Sequence, residues 1–84
     1  MAATPETITL RFYGQLAELA GTEAEEKALH KSITAGELLE EIRRDRPVFR
    51  RLSMTIACND RNVSRQHIVE PGDVVDVFPP FAGG

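Results

Sequence analysis

Pro71-Gly72-Asp73-Val74-Val75-Asp76-Val77-Phe78-Pro79-Pro80 holds a turn signal, a strand and a stop, and the fold follows from where that strand goes. Pro-Gly-Asp is turn chemistry, because proline presets φ and glycine accepts backbone angles that other residues avoid. Val74 to Phe78 is a β-branched and aromatic run of strand length. The proline pair cannot prolong it, since proline has no N–H to give a ladder. Residues 79–84 therefore form an extended tail hung directly on the final strand. If that strand lies beside the first one at the centre of a sheet, the tail leaves from the most rigid part of the molecule.

The first strand is equally legible. Thr7-Ile8-Thr9-Leu10-Arg11-Phe12-Tyr13 alternates with period two, placing Ile8, Leu10 and Phe12 on the core side, and Gly14 ends it. Gln15 to Ala20 reads as a short helical turn stopped by Gly21, with Leu16 and Leu19 facing the core. Ala24 to Lys31 suits an antiparallel return strand, forming a hairpin with the first. Thr34-Ala35-Gly36-Glu37 matches the S/T-x-x-E capping box, and Leu38, Leu39 and Ile42 share one face, so a helix is predicted from Ala35 to about Arg44, stopped by Pro47. Phe49 and Leu52 form an irregular turn over the core. Met54 to Cys58 is a third strand, Asn59-Asp60 a turn, and Asn62-Val63 a brief pairing back. The order strand, strand, helix, strand, short strand, strand predicts an α+β domain, a mixed sheet curled over one main helix as in a β-grasp.

Composition narrows the function classes. Eighty-four residues make one domain, 1–84, with little stability to spare. No stretch has the length of a membrane span, and Met1 to Glu6 has neither the basic region nor the apolar core of a secretory signal, so a cytoplasmic protein with no membrane partner is expected. A net charge of −3 offers no general attraction to nucleic acid. Cys58 is the only cysteine, which excludes an internal disulfide and a four-thiolate cluster, and its apolar surroundings suit a buried structural thiol. His30 and His67 lack ligand spacing, so no metal site is expected. Arg43, Arg44, Arg46, Arg50 and Arg51 form a basic cluster after the helix, read either as a solvated face or as a surface that steers a partner protein. Lysine occurs only at Lys27 and Lys31.

The tail carries the chemistry. Gly83 and Gly84 have no Cβ and can thread a channel too narrow for other residues, presenting a terminal carboxylate without steric cover. Phe78, Pro79, Pro80 and Phe81 are costly in a segment meant only to float in water, and paired prolines hold an extended path. Extended, the six residues from Pro79 to Gly84 reach about 20 Å from the sheet. Phe81 has two readings, an anchor in a partner's channel or a cap folded back on its own core.

Taken together, Phe12-Tyr13-Gly14-Gln15, Glu18-Leu19-Ala20-Gly21, Ala57-Cys58-Asn59, Pro71-Gly72-Asp73-Val74-Val75 and Phe78-Pro79-Pro80-Phe81-Ala82-Gly83-Gly84 make the chain similar to the β-grasp sulfur carriers. Among them it resembles the small subunits of molybdopterin synthase, on the strength of the Phe-Pro-Pro-x-x-Gly-Gly ending. It departs from many relatives at Ala17, where a basic residue is usual, and at Asp60, where glycine is frequent. The resemblance implies that the chain is not catalytic alone and holds no tightly bound cofactor. An activating partner resembling the ubiquitin-activating enzymes would use ATP to adenylate Gly84. A sulfur donor, such as a cysteine desulfurase or a rhodanese-like protein, would convert the adenylate to a thiocarboxylate. A large subunit would hold the pterin precursor that receives the sulfur. On this reading Gly83, Ala82, Phe81, Pro80 and Pro79 bind as the tail, and Phe78, Phe12, Tyr13 and Arg11 form the partner interface. A carrier for thiamin or another metabolite, a ubiquitin-like protein modifier, and a binding module with an incidental tail are the alternatives.

Overall fold

In the computed structural model, which describes residues 6–80, the alternating opening segment is strand β1, Thr7–Phe12, with every second side chain buried. It runs into a six-residue helix, α1, Gln15–Ala20, and returns as β2, Ala24–Ala28, antiparallel to β1 with Arg11 opposite Ala24 and Thr7 opposite Ala28. The capping box forms as read: the Thr34 hydroxyl accepts the Glu37 N–H at 3.1 Å, while Glu37 accepts the Thr34 N–H at 2.8 Å. Helix α2 then spans Ala35–Asp45 and a 3₁₀ turn follows over Pro47–Phe49. Strand β4, Thr55–Cys58, turns through Asn59 and Asp60 into β5, Arg61–Asn62, and the last strand, β7, is Val74–Phe78. Both turn residues have positive φ, 51° and 69°, a geometry that asparagine and aspartate accept more readily than most residues.

The main sheet has the order β2-β1-β7-β4-β5. β1 and β7 are parallel neighbours at its centre, Phe12 opposite Val77, and all other pairings in it are antiparallel. This is the β-grasp predicted from the first and last strands. One side of the sheet, with Ile8, Leu10, Phe12, Ile56, Cys58, Val75 and Val77, packs on Leu38, Leu39 and Ile42 of α2 and on Phe49 from the 3₁₀ turn.

The sequence reading missed a second, two-stranded sheet, in which β3, Ile33–Thr34, pairs with β6, Ile68–Val69. Two-residue strands carry no periodicity to read. Leu19 also departs from expectation. Helix α1 docks through Leu16, with Ala17 and Ala20 against the core, and this rotation leaves Leu19 44% exposed. Leu16 and Ala20, at i and i+4, share the face turned to the core, and Leu19 lies off it. Among the described residues no helix is long and apolar enough to cross a membrane.

Candidate partner-docking site at the root of the tail

The tail root is assembled by β1 and β7 running side by side. The Tyr13 N–H donates to the Val77 carbonyl at 3.2 Å, carrying the parallel ladder one residue beyond β1. Tyr13 and Phe78 thereby stand on the same side of the sheet, away from α2, and stack with ring centroids 4.6 Å apart and planes 17° from parallel. Tyr13 is 37% exposed and Phe78 half-buried, so the pair presents an apolar face with one phenolic edge. Just beyond it the chain passes Gly14, whose φ is +57°, and a Cβ there would lie 3.3 Å from Pro79 Cγ. Gly14 thus serves two needs, a left-handed turn out of β1 and room for the first proline of the tail. Pro79 is half-buried and Pro80 exposed.

Arg11 lies on the same face, one pleat away. Its Nε donates to Asp76 Oδ1 at 2.5 Å and its Nη2 to Asp76 Oδ2 at 3.0 Å, with Asp60 Oδ1 3.5 Å from Nη2. Asp76 is the one buried charged residue among those described, and the two-point contact from Arg11 supplies what water would otherwise provide. The hydrogen bond to Asp76 acts first in holding the Arg11 pKa above its ordinary value. Sequence reasoning placed Arg11 on this face but missed Asp76, because an aspartate within a run of valines gives no sign of its partner.

Phe12, read from the sequence as part of a partner interface, is buried and not available to one. It is 2% exposed, packs tilted on Phe49 with centroids 5.7 Å apart, and carries the Arg46 guanidinium 5.3 Å from its ring centroid. The strict alternation of β1 decides this: Arg11 and Tyr13 face outward, so Phe12 between them faces α2. The remaining predicted tail residues, Phe81, Ala82, Gly83 and Gly84, lie outside the described residues, and so does the choice between the two readings of Phe81.

Beside the root, β4 pairs with β7 so that Thr55 stands opposite Phe78. A cleft of about 580 Å³ opens there between Phe78, Met54, Thr55, Val63, Ser64 and Arg65. Arg65 is held against α2, where Gly36 donates its N–H to the Arg65 carbonyl at 2.9 Å and a Cβ on Gly36 would lie 3.3 Å from Arg65 Cβ.

Cys58 sits at the opposite end of the sheet. Its Sγ donates to Asp73 Oδ2 at 3.3 Å, and burial, then that bond, then the Asp73 charge push the thiol up to about 12. It is a protonated structural thiol at neutral pH, unsuited to nucleophilic work. Among the described residues, no three of His, Cys, Asp and Glu gather closely enough to hold a metal ion.

The ThiS family model matches residues 10–84. No curated protein sequence matches the chain. Among solved structures, a protein of Pyrococcus furiosus described as molybdopterin converting factor subunit 1 is 29% identical, with a TM-score of 0.81 over 89% of this chain and 98% of its own. The small archaeal modifier SAMP1 of Haloferax volcanii is 20% identical, with a TM-score of 0.77 over 93% of this chain and 99% of its own. Urm1 of Trypanosoma brucei is 15% identical, with a TM-score of 0.68 over 99% of this chain and 100% of its own. The latter two share the fold.

Proposed function

The chain belongs to the ThiS family and is a sulfur carrier of ubiquitin-like fold, and from that premise we propose that it is the small subunit of a molybdopterin synthase, with the Gly84 carboxylate as its working group. The observation that carries this reading is the Phe78-Pro79-Pro80 root, which leaves the central strand stacked on Tyr13 and seated against Gly14. Such a root aims a tail from a rigid base, which is what delivery into another protein's pocket requires. The 29% identity to a protein described as a molybdopterin converting factor subunit supports this pathway over the others.

In this proposal a free carboxylate is too poor an electrophile to act unaided. An ATP-dependent activating enzyme joins Gly84 to AMP, releasing pyrophosphate; the outer sulfur of a donor protein's cysteine persulfide then displaces AMP to give an acyl disulfide, and a thiol reductant cleaves its S–S bond to leave the thiocarboxylate. That sulfur attacks a pterin precursor held by a larger subunit. The chain supplies the nucleophile and its reach, the larger subunit supplies the pocket, and nucleophilic catalysis is divided between two proteins. Tyr13, Phe78 and Arg11 form the face that meets each partner in turn, and the proline pair lowers the entropy lost when the tail is ordered.

The test is made at Gly84. Deleting Gly84, or adding one residue after it, leaves the melting temperature unchanged and abolishes adenylation and the oxygen-to-sulfur mass shift of the intact chain. Full-rate activation of the extended protein without trimming refutes the role of Gly84. Covalent ladders on lysines of other proteins, in place of a thiocarboxylate that a pterin precursor consumes, indicate a protein modifier.

A further inference from the structure

The five arginines in and after the last turn of α2, Arg43, Arg44, Arg46, Arg50 and Arg51, do not stay together in the fold. Arg46 turns back to Glu25, donating from Nη1 and Nη2 to its two carboxylate oxygens at 2.7 and 2.6 Å, and covers Phe12. It is spent on structure. Arg65, remote in sequence, takes its place. Arg43, Arg44, Arg50, Arg51 and Arg65 now surround a groove of about 610 Å³ with Leu52, Ser53 and a single carboxylate, Glu40. Arg43 is itself fixed, donating to the Leu52 carbonyl at 3.0 Å and lying 3.4 Å from Glu40. Glu40 also lies 3.9 Å from Arg65. The other three, Arg44, Arg50 and Arg51, are exposed and have no ion pair among the described residues. Five guanidiniums thus face one carboxylate, on a chain whose net charge is −3.

Position gives this concentration a direction. Ser53 in the groove lies two residues before Thr55, which pairs with Phe78 at the tail root. Arg65 lines both the groove and the cleft beside Phe78. One continuous surface therefore runs from the stacked Tyr13–Phe78 pair, through an apolar cleft, to a cationic groove that Glu40 neutralises only in part.

We propose that the groove docks an acidic segment of the protein that takes up the tail, so that charge steers and orients the carrier before the tail threads. The proposal rests on the carrier reading for the identity of that protein, though not for the chemistry of the groove. Guanidiniums fork onto carboxylates, and Leu52 offers apolar cover for the stems of glutamate side chains. Nucleic acid fits less well, because Glu40 stands inside the groove and the chain as a whole is acidic.

The experiment uses the full chain and a fluorescein-labelled hexaglutamate peptide, with hexalysine and a single-stranded oligonucleotide of equal charge as competitors, followed by anisotropy at low and high salt. The expected result is salt-sensitive binding of hexaglutamate that weakens at least about tenfold in R50E/R51E and also falls in R44E. All three side chains are exposed, and circular dichroism checks that both variants stay folded. Equal binding by parent and variants overturns the proposal, and so does tighter binding of the oligonucleotide. In adenylation assays with the activating enzyme, R50E/R51E raises KM and leaves kcat; an unchanged KM overturns steering. Failure of the parent to be adenylated at all refutes the carrier reading instead, and the peptide titration still decides what the groove binds.

Discussion

At the end of the sheet where β7 begins, the polar groups are answered from within: Asp73 accepts from the Glu70 N–H at 2.9 Å, from Asn59 Nδ2 at 3.1 Å and from Cys58 Sγ at 3.3 Å, while Asn59 Oδ1 accepts the Val74 N–H at 2.9 Å. At the end where β7 leaves the sheet, a Tyr13–Phe78 stack stands partly in solvent and three arginines beyond it lack ion pairs among the described residues. The first end closes a β-hairpin on a turn and spends these groups on one another. The second holds unsatisfied charge and exposed aromatic surface, the resources of an interface. The same central strand therefore begins at a stability device and ends beside the surface we propose for docking.

The largest expected effect tests whether the open end is open only on its outside. Phe12→Ala removes a fully buried ring from the Phe49 contact and is expected to cost about 3–5 kcal/mol, while its neighbour Tyr13→Ala loses mainly the stack on Phe78, worth about 0.5–1.5 kcal/mol. Urea unfolding of the two variants measures both. Similar losses would mean that Tyr13 belongs to the core and that the contrast between the ends is overstated.

Next comes the closed end. Asp73→Ala leaves the Glu70 N–H and the Asn59 amide without their acceptor and is expected to cost about 1–2 kcal/mol, toward the low side because Asp73 is half-exposed. Burial works to raise the Asp73 pKa, but the hydrogen bonds from Glu70, Asn59 and Cys58 prevail and hold it below its ordinary value. A lowered native pKa stabilises the fold above about pH 4, and that contribution is lost as pH falls through the native value. Cys58 works in the opposite sense. With its native pKa raised, its contribution is present below the ordinary thiol value of 9.0 and is lost as pH rises from there toward about 12. Stability against pH should thus slope at both limbs, Asp73→Ala flattening the acid one and Cys58→Ala the alkaline one. Unaltered limbs in both variants would place the pH dependence elsewhere.

The smallest effect sharpens the tail root. Gly14→Ala puts a Cβ at φ +57° and within 3.3 Å of Pro79, and should cost about 1 kcal/mol in stability while slowing activation of Gly84 by more than that loss of folded protein explains. Parallel measurement of melting temperature and adenylation rate separates the two. A rate that merely tracks stability would show that Gly14 does not aim the tail.

Much of this molecule was settled by local sequence. The alternation of Thr7 to Phe12, the capping box at Thr34 and the turn at Pro71-Gly72-Asp73 each depend on residues within a few positions of one another, and each formed as read. The order of elements pointed to a sheet over one helix, and the structure places the first and last strands side by side within it. Tertiary structure alone decided the rest. No local signal could tell that Asp76 is buried beneath Arg11, that Phe12 lies under Arg46, that Leu19 is turned out, or that Ile33–Thr34 meets Ile68–Val69, since the partners are far apart in sequence. The arginines show the distinction most directly. Their run in the sequence announced a positive region, but whether each charge is neutralised depends on which carboxylate the fold brings to it. Glu25 was brought to Arg46, and none to Arg44, Arg50 or Arg51 among the described residues. Charge is a property of the residue, whereas its availability to a partner is a property of the packing.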